Sequence, residues 1–277
     1  MDRKEIKIVF TDLDRTLMRD DNTFSKRSLK ALADLQRNGI IVVIATGRNI
    51  YSAKKVLDAD LPIDYLMFSA GCGVINWKTK KIIYENHLKR NEIKKTIKIL
   101  LAHEVNFMLH NPIPDNHYFN YAQNTKNNPD FKRRIATYKS FAGILKDLPD
   151  TASQIIAILK QDEKMKFEEI KKEIDFLKVI RATSPLDHKS IWLEVFPNGV
   201  SKGHSAEWLC NKLKIDRKYT LGIGNDFNDL DLLEFTEYSC VVANAPEELK
   251  KKYNVIDSNQ EDGFANCMKK LMPDSPY

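Results

Sequence analysis

The sequence predicts an α/β fold, a parallel sheet flanked by helices and interrupted by an inserted α+β unit. Three observations carry that expectation. Apolar runs at residues 6–10, 40–45 and 65–68 are of strand length and barely alternate with polar residues, the pattern of strands covered on both faces. Chemically versatile side chains follow at once, Asp12 and Asp14 after the first run and Thr46 after the second, and ligands bind at the C-terminal ends of parallel strands. From about Leu88 the βα alternation gives way to short strands and amphipathic helices without strand-end carboxylates, and it resumes at Ser201.

In chain order, Ile6, Ile8, Val9 and Phe10 give the first strand its β-branched and aromatic content, and the run stops at Thr11 and Asp12. Asp20-Asp21-Asn22 reads as a turn. Ser25 is the expected N-cap of a helix with Leu29, Leu32 and Leu35 on its inward face, and Gly39 ends it. The second strand, 40–45, is followed by a helix with Ile50, Ala53, Val56 and Leu57 inward, then by Pro62 and the third strand. Residues 69–73 read as a flexible turn and 74–84 as a hairpin folded about Lys78-Thr79-Lys80-Lys81. Beyond Leu88, helices are expected near 91–103, 130–140 and 163–176, with strands near 155–159, 177–182 and 191–196. The domain boundaries are drawn at 87–187 for the insertion, with 1–86 and 188–277 as the core. In the second core segment Ser201 caps a helix with Ala206, Leu209 and Leu213 inward. Strands follow at 219–224 and 238–242, then Pro246 in the first turn of a short helix and a last helix over 261–271.

At 277 residues and 32.0 kDa the chain exceeds one ordinary domain, which agrees with a core plus an insertion. Its net charge of +6 is mild, and basic runs such as Lys250-Lys251-Lys252 lie among acids as solvated helix faces, so no nucleic-acid partner is expected. The same bias suits a small anionic substrate. Four scattered cysteines without a Cys-x-x-Cys pair read as buried thiols of a reducing compartment. Residues 1–10 carry charge from Asp2 to Lys7 in place of a secretory leader, and no apolar stretch approaches the roughly 18 residues of a membrane span. The cytoplasm is the expected location, and a monomer or weak homodimer the expected assembly.

Carboxylates spaced i, i+2 across a turn, as Asp12 and Asp14 are, can offer oxygens to one hard cation while one of them stays free to attack or to move a proton. Two other motifs fail. Gly222-x-Gly224 has Phe227 where a dinucleotide fingerprint needs its third glycine, and a calcium loop starting at Asp12 would need Gly at Leu17 and Glu at Thr23. Four clusters in order, Asp12-Leu13-Asp14-Arg15-Thr16-Leu17, Ala45-Thr46-Gly47-Arg48, Ser201-Lys202-Gly203 and residues 224–229, resemble the four motifs of the haloacid dehalogenase superfamily of phosphotransferases. Val242-Ala243-Asn244-Ala245-Pro246 and Asn259-Gln260-Glu261-Asp262-Gly263 resemble two tail signatures of its Cof-type branch, and the insertion lies where that branch carries an α/β cap.

The resemblance implies a Rossmann-like three-layer core with an inserted α+β cap that sets substrate specificity. It implies a magnesium-dependent phosphatase of small phosphorylated metabolites, with sugar phosphates the expected class, acting through an aspartyl-phosphate. Asp12 would be the nucleophile and Asp14 the general acid and then base. Lys202 would pair with Asp12 and the phosphate. Thr46, with Gly47, Arg48 and Asn228, would hold the phosphate. Mg2+ would bind at Asp12, Asp14, Asn225, Asp226 and Asp229. The same intermediate would serve a phosphomutase or phosphotransferase, and a non-catalytic phosphate sensor would keep the fold. Two departures stand out: Asn225 offers a neutral amide oxygen where Asp is usual, and Arg15 stands at a common Gly. In the insertion, the Pro-stiffened stretch 110–119 gathers donors, acceptors and aromatic rings, and Asn116 and His117 are its candidate sugar-reading residues.

Overall fold

The computed structural model describes residues 6–271. Residues 1–5, which include part of the charged opening stretch read above, and residues 272–277 lie outside the described residues. The chain divides into two compact units, one formed by Met1–Tyr84 with Ser201–Tyr277 and one by Glu85–Val200.

The first unit begins with β1 (Ile8–Thr11), α1 (Lys26–Arg37), β2 (Ile41–Ala45), the single turn α2 (Ile50–Ala53), β3 (Tyr65–Phe68), β4 (Gly73–Asn76) and β5 (Lys81–Glu85). Ser25 caps α1 as expected, its Oγ accepting from Ser28 N–H, and Gly39 follows the helix at φ +71°. Leu32 and Leu35 are buried, but Leu29 is turned outward because Ser28 and Ala31 occupy the inward face. Residues 69–73 are not a flexible turn. Ser69 and Ala70 are buried at left-handed φ values of 48° and 52°, and the segment is tied back through Ser69 N–H to Arg48 O and Ala70 N–H to Thr46 O.

The second unit contains β6 (Leu88–Lys89), α3 (Arg90–Ala102), β7 (Asn106–His110), β8 (Phe119–Ala122), α4 (Pro129–Thr137), β9 (Ala142–Ile144), β10 (Thr151–Ala152), β11 (Gln154–Leu159), α5 (Lys164–Glu173), β12 (Lys178–Thr183) and β13 (Ile191–Phe196). Its main sheet has the order β12-β13-β11-β7-β8-β9. The unit extends to Val200 rather than to 187, because β13 lies inside this sheet, paired antiparallel with both β11 and β12. Alternation sorts its side chains. Phe107, Leu109, Ile155, Ala157, Leu193 and Val195 pack with α3 and α5 in one core, while Met108, Ile156, Ile158 and Trp192 form a second with Phe131 of α4.

The chain then returns to the first unit with α6 (Lys202–Leu213), β14 (Thr220–Gly224), α7 (Leu230–Phe235), β15 (Tyr238–Val242), the short α8 (Glu247–Lys250), β16 (Asn254–Ile256) and α9 (Gly263–Leu271). The large sheet has the order β16-β15-β14-β1-β2-β3-β4-β5. Its strands are parallel from β16 to β3, and β4 turns back antiparallel to β3. β1 therefore sits between β14 and β2, and residues just past Thr11, Ala45 and Gly224 share one sheet edge. The sequence reading did not anticipate β16, a three-residue edge strand with Val255 half exposed and little apolar pattern to read. Among the described residues no helix is long and apolar enough to cross a membrane.

Two predictions follow from packing. Gly203, in the first turn of α6, leaves no room for a side chain, since a Cβ there would lie 2.2 Å from the Asp231 carbonyl oxygen of α7. Gly203→Ala is expected to lower stability by about 1–3 kcal/mol, read as a drop in melting temperature. In the second unit His110 is fully buried. Burial first, and then Arg134, push its pKa down to about 3 against the opposing hydrogen bond with Asn116. Above about pH 6.5 His110 is neutral in both folded and unfolded chains; between there and its folded pKa only the unfolded chain takes the proton, so stability falls as pH falls, by about 1.4 kcal/mol per pH unit. The stability gap between the wild type and His110→Phe should therefore narrow from pH 7 to pH 4 in urea denaturation.

Candidate active site

Three strand ends and one helix start build the site. β1 delivers Asp12, whose N–H donates to Ile223 O at 2.8 Å, and β2 delivers Thr46, whose N–H donates to Met67 O at 2.8 Å. Between them, residues 13–17 form one wide turn closed by Met18 N–H to Leu13 O at 2.9 Å, with Arg15 at φ 57°. This left-handed conformation is where a glycine costs least, and it accounts for the usual Gly at the Arg15 position. The turn is pinned from the far end of the chain. Asn244 Nδ2 donates to Arg15 O at 2.8 Å, Asn259 N–H donates to Asn244 Oδ1 at 3.1 Å, and Asn259 Nδ2 donates to Met18 O at 3.0 Å. The two tail signatures thus hold the first motif in place.

Lys202 enters from the first turn of α6, capped by Ser201, whose Oγ accepts from His204 N–H. The lysine is completely buried, and its Nζ donates to Asp12 Oδ1 and to Asp229 Oδ1, each at 2.6 Å. Burial by itself would drive the ammonium toward neutrality, but the two carboxylates override it and hold the Lys202 pKa above its ordinary value. Asp12, 5 % exposed, is raised above the ordinary carboxylate range by burial, with Asp229 and Asp14 reinforcing the effect and Lys202 opposing it. Asp229 is engaged through both oxygens, since its Oδ2 accepts from Asn225 N–H at 2.8 Å and Asp226 N–H at 3.1 Å. Gly224 allows this turn to close: a Cβ there would lie 2.6 Å from Asp229 Oδ2.

On the other side, Arg48 grips Asp14, with Nε 2.9 Å from both carboxylate oxygens and Nη2 2.6 Å from Oδ1. Thr46 Oγ1 accepts from Arg48 N–H at 3.0 Å and lies 3.5 Å from Asp14 Oδ2. A Cβ on Gly47 would meet Asn228 Nδ2 at 3.6 Å, so the fourth motif reaches the second at that point. Asp12, Lys202 and Asp229 are therefore joined by ion pairs, Asp14, Thr46 and Arg48 by a second set of hydrogen bonds, and Asn228 lies beside Gly47. Asn225 and Asp226 join through their backbone N–H groups. Ser205 was not anticipated; its Oγ donates to Gly71 O at 2.6 Å and anchors α6 to the buried 69–73 segment, a role that a serine inside a helix does not advertise. Asn116 and His117 belong to the second unit, where the Asn116 carbonyl oxygen accepts from His110 Nδ1 at 2.8 Å and the His117 ring packs tilted against Tyr118 and edge-on to Phe141.

The donor set suits a hard divalent ion. Three carboxylates, Asp12, Asp14 and Asp229, against two cations, Lys202 and Arg48, leave one negative charge beside neutral amide oxygens. Among the described residues no group of three or more His, Cys, Asp or Glu side chains is arranged to hold a metal by itself. Mg2+ fits such a site nonetheless, because it binds through one or two carboxylates and completes its shell with waters and substrate phosphate oxygens.

The family model described as haloacid dehalogenase-like hydrolase matches residues 9–268. A Bacillus subtilis (strain 168) relative named "Putative phosphatase YkrA" is 26% identical over 270 residues, covering 96% of this chain and 97% of its own. Another from the same organism, 5-amino-6-(5-phospho-D-ribitylamino)uracil phosphatase YwtE, is 25% identical, covering 96% of this chain and 98% of its own. Among solved structures, the HAD subclass IIB sugar phosphatase BT4131 superposes with a TM-score of 0.75 at 19% identity, covering 96% of this chain and 98% of its own. On a match that runs from the second residue of β1 to the last helix, the chain belongs to the haloacid dehalogenase-like hydrolases.

Proposed function

We propose that the chain is a magnesium-dependent phosphatase of small phosphorylated metabolites, with sugar and polyol phosphates as the substrate class, working through an aspartyl-phosphate on Asp12. The observation that carries the reading is the buried Lys202 ammonium held 2.6 Å from Asp12 at the sheet edge. A carboxylate attacks a phosphate dianion only when nearby cations offset the repulsion, and a permanently charged lysine beside the nucleophile does so. The names of the relatives support the substrate class, one a sugar phosphatase and one acting on a phosphorylated ribityl compound.

In this mechanism Asp12 Oδ2 attacks phosphorus, the bond to the leaving oxygen breaks, and Asp14 protonates that oxygen. Asp14 then takes a proton from the water that attacks the phosphoryl group, which regenerates Asp12. Thr46 and Lys202 hold the phosphoryl oxygens, with Gly47 and Asn228 shaping the adjoining wall. Arg48 is assigned to orienting Asp14, since it grips that carboxylate with two nitrogens. Mg2+ would be held by the Asp12 carboxylate, the Asp14 main-chain carbonyl and the Asn225–Asp226 corner, and it supplies charge neutralisation for the attack. Asp229 we assign to positioning Lys202 and this corner rather than to the ion, because both of its oxygens are taken. The inserted unit is proposed to set specificity. The four cysteines, buried and without a disulfide, suit the cytoplasm as the location.

Three experiments test the reading. Asp12→Asn should reduce release of 4-nitrophenol from 4-nitrophenyl phosphate by about 10³-fold or more, and appreciable turnover by the folded variant would remove Asp12 as nucleophile. Chelation with EDTA should abolish activity and added Mg2+ restore it. Asn225→Asp, which replaces an amide oxygen by a carboxylate, should lower the Mg2+ concentration needed for half-maximal rate, as read from a magnesium titration.

A further inference from the structure

Arg15 stands in the left-handed region, at φ 57° and ψ 20°, directly after an extended Asp14. A residue that carries a side chain leaves this region when its surroundings allow, so the conformation persists only where neighbours over-determine it. Two restraints reach Arg15 from elsewhere in the first unit. Its carbonyl oxygen accepts from Asn244 Nδ2 at 2.8 Å, and its Nε lies 3.5 Å from Asp20 Oδ1. The ion pair is open to water, with side chains 43% and 57% exposed, and holds little. The hydrogen bond from Asn244 is therefore the stronger restraint.

Asn244 is itself aimed by a second asparagine. The turn that carries it, just past β15, is closed by Ala245 N–H to Val242 O at 2.9 Å. Asn259 N–H donates to Asn244 Oδ1 at 3.1 Å, which occupies the amide oxygen and leaves the NH2 group facing Arg15. Asn259 is buried, and its own Nδ2 donates to Met18 O and Asp20 Oδ1, each at 3.0 Å. It opens the short turn Asn259–Glu261, fixed by Ser258 Oγ to Glu261 Oε2 at 2.7 Å. What this bracing fixes is Asp14. The peptide unit between Asp14 and Arg15 is oriented by the Arg15 φ, and a return of that angle to the ordinary helical region would rotate the unit by about 120°. The Asp14 carboxylate would then leave the fork of Arg48, where Oδ1 now lies 2.6 Å from Nη2.

We propose that Asn244, aimed by Asn259, is a positioning residue for proton transfer by Asp14: it holds Arg15 in the left-handed conformation that keeps the Asp14 carboxylate in the Arg48 fork, from which it serves the leaving oxygen. The role of Asp14 rests on the phosphatase reading, whereas the clamp rests on the hydrogen bonds alone. The clamp is needed because position 15 bears a side chain. Glycine adopts the left-handed conformation without penalty, so a chain with Gly at this position would depend on Asn244 much less.

The test uses the full-length chain and two aryl phosphates whose leaving oxygens differ in basicity. 4-Nitrophenolate departs without a proton, whereas phenolate calls for one from Asp14. Asn244→Ala should lower kcat/KM for phenyl phosphate about tenfold, the factor to which the left-handed penalty corresponds, and for 4-nitrophenyl phosphate by about threefold at most. Adding Arg15→Gly to Asn244→Ala should recover most of the loss. A merely structural asparagine would depress both substrates equally and gain nothing from glycine. Asn244→Asp keeps the acceptor for Asn259 N–H and loses only the donor to Arg15, so it guards against a folding failure of the alanine variant. Its added charge acts alike on two dianionic substrates, and the ratio between them should shift as in Asn244→Ala. Melting temperature gives a readout without turnover: Asn244→Ala should cost less in the Arg15→Gly background than in the wild type. Equal losses on the two substrates, no recovery by Arg15→Gly, or additive melting shifts would each overturn the proposal. A folded wild type inactive on both aryl phosphates would instead overturn the phosphatase reading and the Asp14 role with it, while the melting cycle would still decide whether the clamp exists.

Discussion

The first unit is organised around a lysine that water never reaches. Placing the Lys202 ammonium in the interior costs several kcal/mol of lost hydration, and two carboxylates at 2.6 Å offset that cost. Each carboxylate comes from a different strand end, Asp12 after β1 and Asp229 after β14, so the ion triad is possible only if those strands are neighbours in register. The tight approach of α6 to α7 at Gly203, the cap at Ser201 and the Gly224 turn all keep the ammonium at that point. Removing Lys202 would leave two buried carboxylates uncompensated, and removing either carboxylate would take from the ammonium one of its two acceptors, which couples the integrity of the fold to that of the site.

A second electrostatic feature separates the two aspartates. Asp12 faces the lysine in the interior, whereas Asp14 lies nearer solvent in the fork of Arg48, itself steadied by Asn22 at 2.8 Å. Two carboxylates two residues apart thus meet unlike surroundings, which is what the proposed division of labour between a nucleophile and a proton carrier requires. Spacing in the sequence suggested paired roles, but only the folded positions of Lys202 and Arg48 distinguish them.

Much of the first unit was legible because parallel strands are continuous apolar runs, and those from β1 to β3 and at β14 and β15 end in polar residues that mark their C-terminal edge. The four motifs could be found for the same reason. What escaped reading was tertiary. Leu29 looked inward by spacing, yet Ala31 and Ser28 fill that face. Residues 69–73 looked loose by composition, yet their left-handed backbone is held by Thr46 and Arg48. The insertion was ended thirteen residues too early because the pairing of β13 with β11 and β12 is a choice between sheets that no local pattern records. Asp229 was placed among the metal ligands from its position in a motif, and the pairing of its two oxygens with Lys202 and with the Asn225 and Asp226 N–H groups is a tertiary fact that the motif does not spell out.

The pairing of β1 with β14 also sets a schedule. Ile8 lies opposite Thr220, with the whole second unit encoded between them. As the chain leaves the ribosome, the first strand must wait with one hydrogen-bonding edge bare until more than two hundred further residues have been made. Such high contact order predicts slow maturation of the catalytic unit, whereas the second unit, contiguous in the chain, is free to fold first. An aggregation-prone interval during synthesis, rather than weakness of the finished protein, is the toll this topology exacts.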